Sequence, residues 1–148
     1  MSATRLLVAL SFALGFVMPA VGSDPVTYFS GDETRAAFAV GKPLTETASY
    51  KVHASRREMP GQAEVHERDT DIIYVLEGTA TLVTGGSAVG ATTTAPDERR
   101  GASITGGATR RLAKGDVIVV PHGTVHQFTE VQAPFLYYVV KVTTGEKR

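Results

Sequence analysis

No cysteine occurs anywhere in the 148 residues. A disulfide framework and a thiolate metal site are therefore both excluded, and any metal must be held by nitrogen and oxygen. An excess of one charge is also missing: Lys plus Arg and Asp plus Glu number 15 each, with no basic stripe. That balance gives no reason to expect nucleic acid as a partner. Apolar runs long enough to cross a bilayer are absent as well. The longest, Leu6 to Val17, has 12 residues, where a spanning helix needs roughly 20.

That short run has its own meaning. Arg5 precedes it, and Ala20-Val21-Gly22 follows as a small-x-small site before Ser23. Positive start, apolar middle and small-residue end together predict a secretory signal peptide over residues 1–22, cut after Gly22. The mature chain, 23–148, is then a single domain, soluble and outside the cytoplasm, periplasmic or secreted, with no membrane contact after cleavage. Loss of Arg5 leaves 14 basic against 15 acidic residues, still close to neutral.

Along the mature chain the dominant pattern is short and β-like. Ser30 and Glu33 form a Ser-x-x-Glu capping box for a short helix over Thr34 to Val40, ended by Gly41 and Pro43. Its few apolar residues suit a flap packed on a sheet. From Tyr50 to Arg56 residues alternate, with Tyr50, Val52 and Ala54 on one face and Lys51, His53 and Ser55 on the polar face. His53 there reads as a surface or hydrogen-bonded histidine and not a ligand. After the turn at Pro60-Gly61, a two-strand corner runs from Glu64 to Gly78, and Thr79 to Thr84 is expected to return as a hairpin turning at Gly78-Thr79. The 27 residues from Gly85 to Arg111 hold six glycines and five threonines. Such a length reads as a lid, an arm or a disordered segment, or else as one more irregular hairpin with Ala102 to Thr105 as a strand and Gly106-Gly107 as its turn. Val117 to Val120 reads as a strand buried on both sides, and Phe135 to Val142 as the last strand, apolar on both faces. Eight or nine short strands and one helix point to a β-sandwich or barrel.

The chemistry concentrates at the Glu64 to Gly78 corner. Glu64 and His66 are two residues apart, so on an extended strand they share a face. Asp71 opens the next strand, Ile72 to Leu76, although an aspartate there also suits a cap on the turn. If Asp71 faces inward, Ile73 and Val75 do too, while Tyr74 faces away. The corner reads as half of a metal site.

A second segment supplies the other half. Gly115, Pro121, Gly123 and His126 stand at the spacing G-x5-P-x-G-x2-H, and this resembles the second motif of the cupin family. The family's first motif runs H-x-H, three or four residues, E, six residues, G. Gly78, Asp71 and His66 fit its spacing, with Asp71 in place of the usual glutamate and Glu64 in place of the first histidine. The resemblance covers about Gly61 to Phe128 and implies an all-β small jelly-roll barrel behind the short N-terminal helix. It implies Glu64, His66, Asp71 and His126 as ligands of one divalent metal. It also implies a homodimer. Two imidazoles and carboxylates without sulfur suit iron, manganese or zinc. Phe128 is expected beside His126 inside, with Ile73 and Val75 as an apolar wall.

Three functions follow from that set. The first is a mononuclear metalloenzyme of the oxygenase type acting on a small organic molecule, with Glu64 as a fourth ligand or as a catalytic base beside the metal. The second is a non-catalytic module that binds a metal or small ligand, which the altered ligand types favour. The third is purely structural, the barrel acting through dimer contacts and the long loop, which nothing in the sequence recommends; at the site itself the alternative to a metal is a metal-free pocket with Glu64 in a salt bridge. His122, in the turn, is a weaker candidate for proton transfer. Arg99-Arg100 and Arg110-Arg111 could reach an anionic substrate from the long loop, though such pairs are usually solvated.

Overall fold

The computed structural model describes residues 25–145. The expected export signal lies outside the described residues. Among the described residues the chain forms one helix and eleven strands. Helix α1 (Gly31–Val40) starts three residues earlier than predicted but on the predicted cap: Glu33 N–H donates to Ser30 Oγ at 3.3 Å, and Ser30 N–H donates to Glu33 Oε2 at 2.7 Å. Gly41, at φ 66°, ends it, a conformation open to glycine because it has no Cβ.

Strands β1 (Lys42–Glu46), β2 (Tyr50–Arg57), β3 (Ala63–His66) and β4 (Asp69–Thr84) follow. The glycine-rich stretch is no open loop. It folds as β5 (Ser87–Val89), β6 (Thr92–Ala95), β7 (Glu98–Gly101) and β8 (Ser103–Thr105), with β5 pairing β8 and β7 pairing both β6 and β3. The irregular-hairpin reading holds for the strand at Ser103–Thr105 but not for its turn: β8 pairs β5, and Gly106-Gly107 leads on to β9, which pairs β4. Then come β9 (Ala108–Ala113), β10 (Val117–Val120) and β11 (His126–Thr143). All pairings are antiparallel, and nine strands join in one curled sheet built around the two longest, β4 and β11.

Those two strands correct the sequence reading. Instead of turning back at Gly78, β4 runs straight through its 16 residues, pairing β10 with its first half and β9 with its second. Likewise the segments beginning at His126 and Phe135 are one strand of 18 residues. Alternating patterns cannot tell a hairpin from a bent strand when a glycine stands between them. Gly78 supplies the bend, at φ 78°, packed against β11, where the β4–β11 register shifts between Gln132 and Leu136. A Cβ at Gly78 would lie 2.5 Å from the Pro134 carbonyl oxygen and 2.9 Å from that of Gln132. Gly78→Ala is therefore expected to destabilise the protein by about 3 kcal/mol or more, combining backbone strain with a clash against fixed backbone. A urea midpoint matching that of the unaltered protein would contradict this.

The sheet has two useful faces. Outward residues of β2, β4 and β11, including Ala54, Leu76 and Tyr138, pack on Ala37 and Phe38 of α1, so the helix is the expected flap. The Phe38 and Tyr138 rings meet edge to face at 4.9 Å. Inward residues, among them Ile73, Val75, Phe135, Tyr137 and Val139, form the main core. Ile73 and Val75 are 2% and 0% exposed while Tyr74 is 45% exposed, as period two requires. The expectation for β10 is corrected: Val117 and Val119 are 62% and 55% exposed, because this strand covers only one side of the sheet. The polar face of β2 is also corrected in meaning. Lys51, His53, Ser55 and Arg57 line an interior cavity of about 380 Å³ and not the outer surface.

Candidate metal centre

Strand register assembles the site. His126 of β11 lies directly opposite Glu64 of β3. On the other edge of β3, Glu64 faces Arg100 and His66 faces Glu98 of β7. Across β4 and β11, Asp71 faces Lys141 and Asp69 faces Thr143. Directly opposed residues on one sheet face are within side-chain reach, so two short segments far apart in sequence converge on one point. The Pro121-x-Gly123 turn is tied to the first segment by Gly123 N–H donating to the His66 carbonyl at 2.7 Å.

Three of the four expected ligands, Glu64, His66 and His126, cluster there, and Asp71 lies beside the two histidines. His66 Nε2 lies 3.4 Å from Asp71 Oδ2 and 3.9 Å from Glu64 Oε2. His126 Nε2 lies 3.9 Å from Asp71 Oδ2 and 4.0 Å from Glu64 Oε2. Donors each about 2.1 Å from one ion stand roughly 3 to 4.2 Å from one another, so the spacing fits a single cation. Glu64, His66 and His126 in particular each offer one donor atom within a span of 4.8 Å, forming a cluster that could bind a metal ion. His66, Asp71 and His126 are buried and Glu64 half-buried.

Both imidazoles are oriented from behind. His66 Nδ1 lies 2.5 Å from Glu98 Oε1, and His126 Nδ1 lies 3.2 Å from the Thr124 carbonyl. With Nδ1 of each ring held from outside the cluster, both Nε2 atoms face the shared point, the arrangement typical of metal-ligating histidines. Burial is the main reason that the His126 pKa falls below its ordinary value, partly offset by the Thr124 contact, so this ring is neutral and free to ligate. For His66 burial acts downward too, but hydrogen bonds to Asp71 and Glu98 outweigh it and raise the pKa to about 9. A cation binding His66 must therefore displace a proton.

Lys141 is the member that sequence reading missed. Its Nζ sits 2.7 and 2.9 Å from the two Asp71 carboxylate oxygens and 2.9 Å from His66 Nε2. An ammonium offers only donors. Its contact with Nε2 is a hydrogen bond only when His66 has given up its proton; while the ring is protonated, Lys141 and Nε2–H both donate to Asp71. Burial alone would raise the Asp71 pKa, but bonding to His66 and the charge of Lys141 bring it below the ordinary range. Arg100 Nη1 meets Glu64 Oε1 at 2.9 Å, leaving Glu64 Oε2 toward the histidines. Glu98 Oε2 is buried without a hydrogen-bond partner. A signal for Lys141 existed: it is the lone charge in the apolar run Phe135 to Val142.

A scan against protein families matches the model described as Cupin over residues 61–148. The chain belongs to the cupin family. Solved structures agree on the fold of this cupin. One, from Bacillus halodurans, is 15% identical, with a TM-score of 0.57, covering 84% of this chain and 87% of its own. Another is an uncharacterized conserved protein with a double-stranded beta-helix domain from Klebsiella pneumoniae, 17% identical with a TM-score of 0.55, covering 83% of this chain and 95% of its own. KdgF from Halomonas sp. is also similar, at 21% identity and a TM-score of 0.47, with 72% of this chain and 81% of that one covered. No curated protein matches.

The remaining candidates fall into place around the jelly roll. His53 lines the cavity but bonds Glu46 Oε1 at 2.8 Å, as a hydrogen-bonded histidine and apart from the four donors. His122 is exposed in its turn. Phe128 lies inside with His126, 3% exposed. Arg110 and Arg111 are exposed and bond Thr84 and Thr79, so of the arginine pairs only Arg100 reaches the site.

Next to the centre, buried Asp69 accepts from Lys51 Nζ at 2.6 Å and from Thr143 Oγ1 at 2.7 Å. Burial pushes its pKa up, but these bonds and the Lys51 and Lys141 charges bring it below the ordinary 3.8. A carboxylate with a lowered folded pKa adds stability above its unfolded pKa and loses it as pH falls through the folded one. Asp69→Asn is therefore expected to cost stability at pH 7, and the gap should close below about pH 4, as read by urea unfolding at both pH values. A gap unchanged by acid would remove the ion pair as its cause.

Proposed function

We propose that this cupin is exported, holds one divalent metal ion, iron, manganese or zinc, and acts on a small organic molecule as a mononuclear enzyme of the oxygenase type. One observation carries the reading: two buried imidazoles, each fixed through Nδ1, turn Nε2 toward the same point as the free oxygen of Glu64. Glu64, His66 and His126 would hold the ion, with Asp71 joining once Lys141 releases it. A bound metal of this kind supplies Lewis acidity and open positions for oxygen or substrate.

The chain's own residues do the rest. Ile73, Phe128 and Val139 wall the cavity with apolar surface, which limits water beside the donors. Arg100 holds one oxygen of Glu64, so the other is positioned to ligate or to take a proton from a bound molecule. A second reading, a binder without turnover, is favoured by the grip of Lys141 on Asp71 and His66.

Loading the mature chain with iron(II), manganese(II) or zinc(II), followed by elemental analysis, is expected to give one ion per chain. No retained ion would end the metal reading. Oxygen uptake across small phenols, thiols and diketones then separates enzyme from binder. Metal retention with no uptake for any of them would favour the binder.

A further inference from the structure

Basic side chains lining the cavity are matched to carboxylates, with one exception. Lys51 is held by Asp69 at 2.6 Å, Lys141 by Asp71 at 2.7 Å and Arg100 by Glu64 at 2.9 Å. The other two lining carboxylates, Glu46 and Glu98, hold His53 and His66. Arg57 has no carboxylate partner among the described residues. A half-buried guanidinium without a counter-charge is costly to keep, so its surroundings bear on what it is for.

Those surroundings fix it in place. Arg57 Nε donates to Tyr137 Oη at 3.0 Å, and the guanidinium carbon stands 4.6 Å above the centre of the Phe128 ring. Gly61 gives it room: a Cβ there would come within 2.6 Å of Arg57 Nη1. With Nε used, Nη1 and Nη2 have no hydrogen-bond partner among the described residues, and the group lines the cavity. Burial raises the Tyr137 pKa, so the phenol keeps its proton; it accepts from Arg57 and lies beside Ser55, its partner on β2, so its O–H has the choice of Ser55 or a molecule in the cavity.

Two guanidinium N–H groups and one phenol O–H form a donor set for a planar carboxylate. The net charge of this end is that of one cation, and its floor is the aromatic ring of Phe128, which disfavours a doubly charged anion. Tyr137 and Lys141 face inward four residues apart on β11, about 13 Å along the strand. A molecule anchored at Arg57 thus extends past Val139 to the metal donors.

We propose that the cavity takes a small monocarboxylate, its carboxylate held by Arg57 and Tyr137 and its other end directed toward Glu64, His66 and His126. This rests on reading the cavity as a small-molecule site and names the class of molecule.

The test uses the mature full-length chain, with propionate, benzoate and 3-phenylpropionate as probes, each against its neutral amide, and inorganic phosphate as a further arm. Calorimetry is expected to show at least one acid binding about tenfold or more tighter than its amide, and tighter than phosphate. Arg57→Met, which keeps a stem over Phe128, should abolish that preference. Tyr137→Phe should weaken it by a smaller factor. Zinc affinity and the urea midpoint of the Arg57→Met protein, measured alongside, show that the fold and the donors are intact. The inference is overturned if no acid is preferred to its amide, if phosphate binds best, or if Arg57→Met keeps the preference. Failure to retain metal, by contrast, would strike the metal reading and leave the acid-against-amide comparison to decide this one.

Discussion

His126→Ala is expected to weaken zinc binding by at least about 100-fold, or about 2.7 kcal/mol, while leaving the β-rich circular dichroism spectrum unchanged. His126 is the sole donor of the four from the second segment, and its ring nitrogens have complementary tasks: Nδ1 is held by the Thr124 carbonyl, and Nε2 faces Glu64 and Asp71. Truncation removes one of two nitrogen donors and leaves carboxylates, which at neutral pH hold zinc less firmly than imidazole does. The fold should survive because the ring's one protein hydrogen bond is to a nearby carbonyl two residues away. Titration calorimetry with zinc decides the matter. Unchanged affinity would show that the two segments meet for some reason other than a metal.

Lys141→Met is expected to act in the opposite direction, tightening zinc binding by about tenfold or more. In the structure the Lys141 ammonium lies against both oxygens of Asp71 and against His66 Nε2, on two of the four expected ligands. A divalent ion must displace it, and the affinity is reduced by whatever that displacement costs. Removing the lysine also strands a buried Asp71, and losing one partner of a buried ion pair is typically worth about 3 kcal/mol or more. The metal-free variant should therefore unfold at lower urea than the unaltered chain, and zinc should raise its midpoint by more. A variant that binds zinc no better, or gains nothing from it in stability, would show that Lys141 is compatible with the ion.

Much of this architecture was legible in the order of residues. Ser30, Glu33 and Gly41 mark the helix ends because capping chemistry is local. Alternation at Asp71, Ile73 and Val75 marks an inward face because strand geometry is local as well. The grouping of Glu64, His66 and His126 was legible through motif spacing, and Glu64 in place of a histidine did not take it out of the cluster.

What was not legible depends on pairing. Whether Gly78 turns a strand back or merely bends it is decided by β11 lying alongside both halves of β4. Val117 and Val119 looked internal by composition, yet no second layer covers them. Lys141 and Glu98 gain their meaning from residues 70 and 32 positions away, set opposite them by register. Arg57, likewise, is notable only once the cavity's other charges are matched.

Thr129 shows how finely that register is tuned. The β4–β11 pairing slips first between Phe128 and Glu130, where Thr129 has no counterpart on β4, and again on either side of Leu136. Before the slips the interior of the barrel takes even-numbered residues, His126 and Phe128; beyond them, odd-numbered ones, Tyr137 and Lys141. An uninterrupted alternation would turn one of these pairs out whenever the other faced in. The irregular stretch from Thr129 to Leu136 thus lets one strand furnish both poles of the binding chamber.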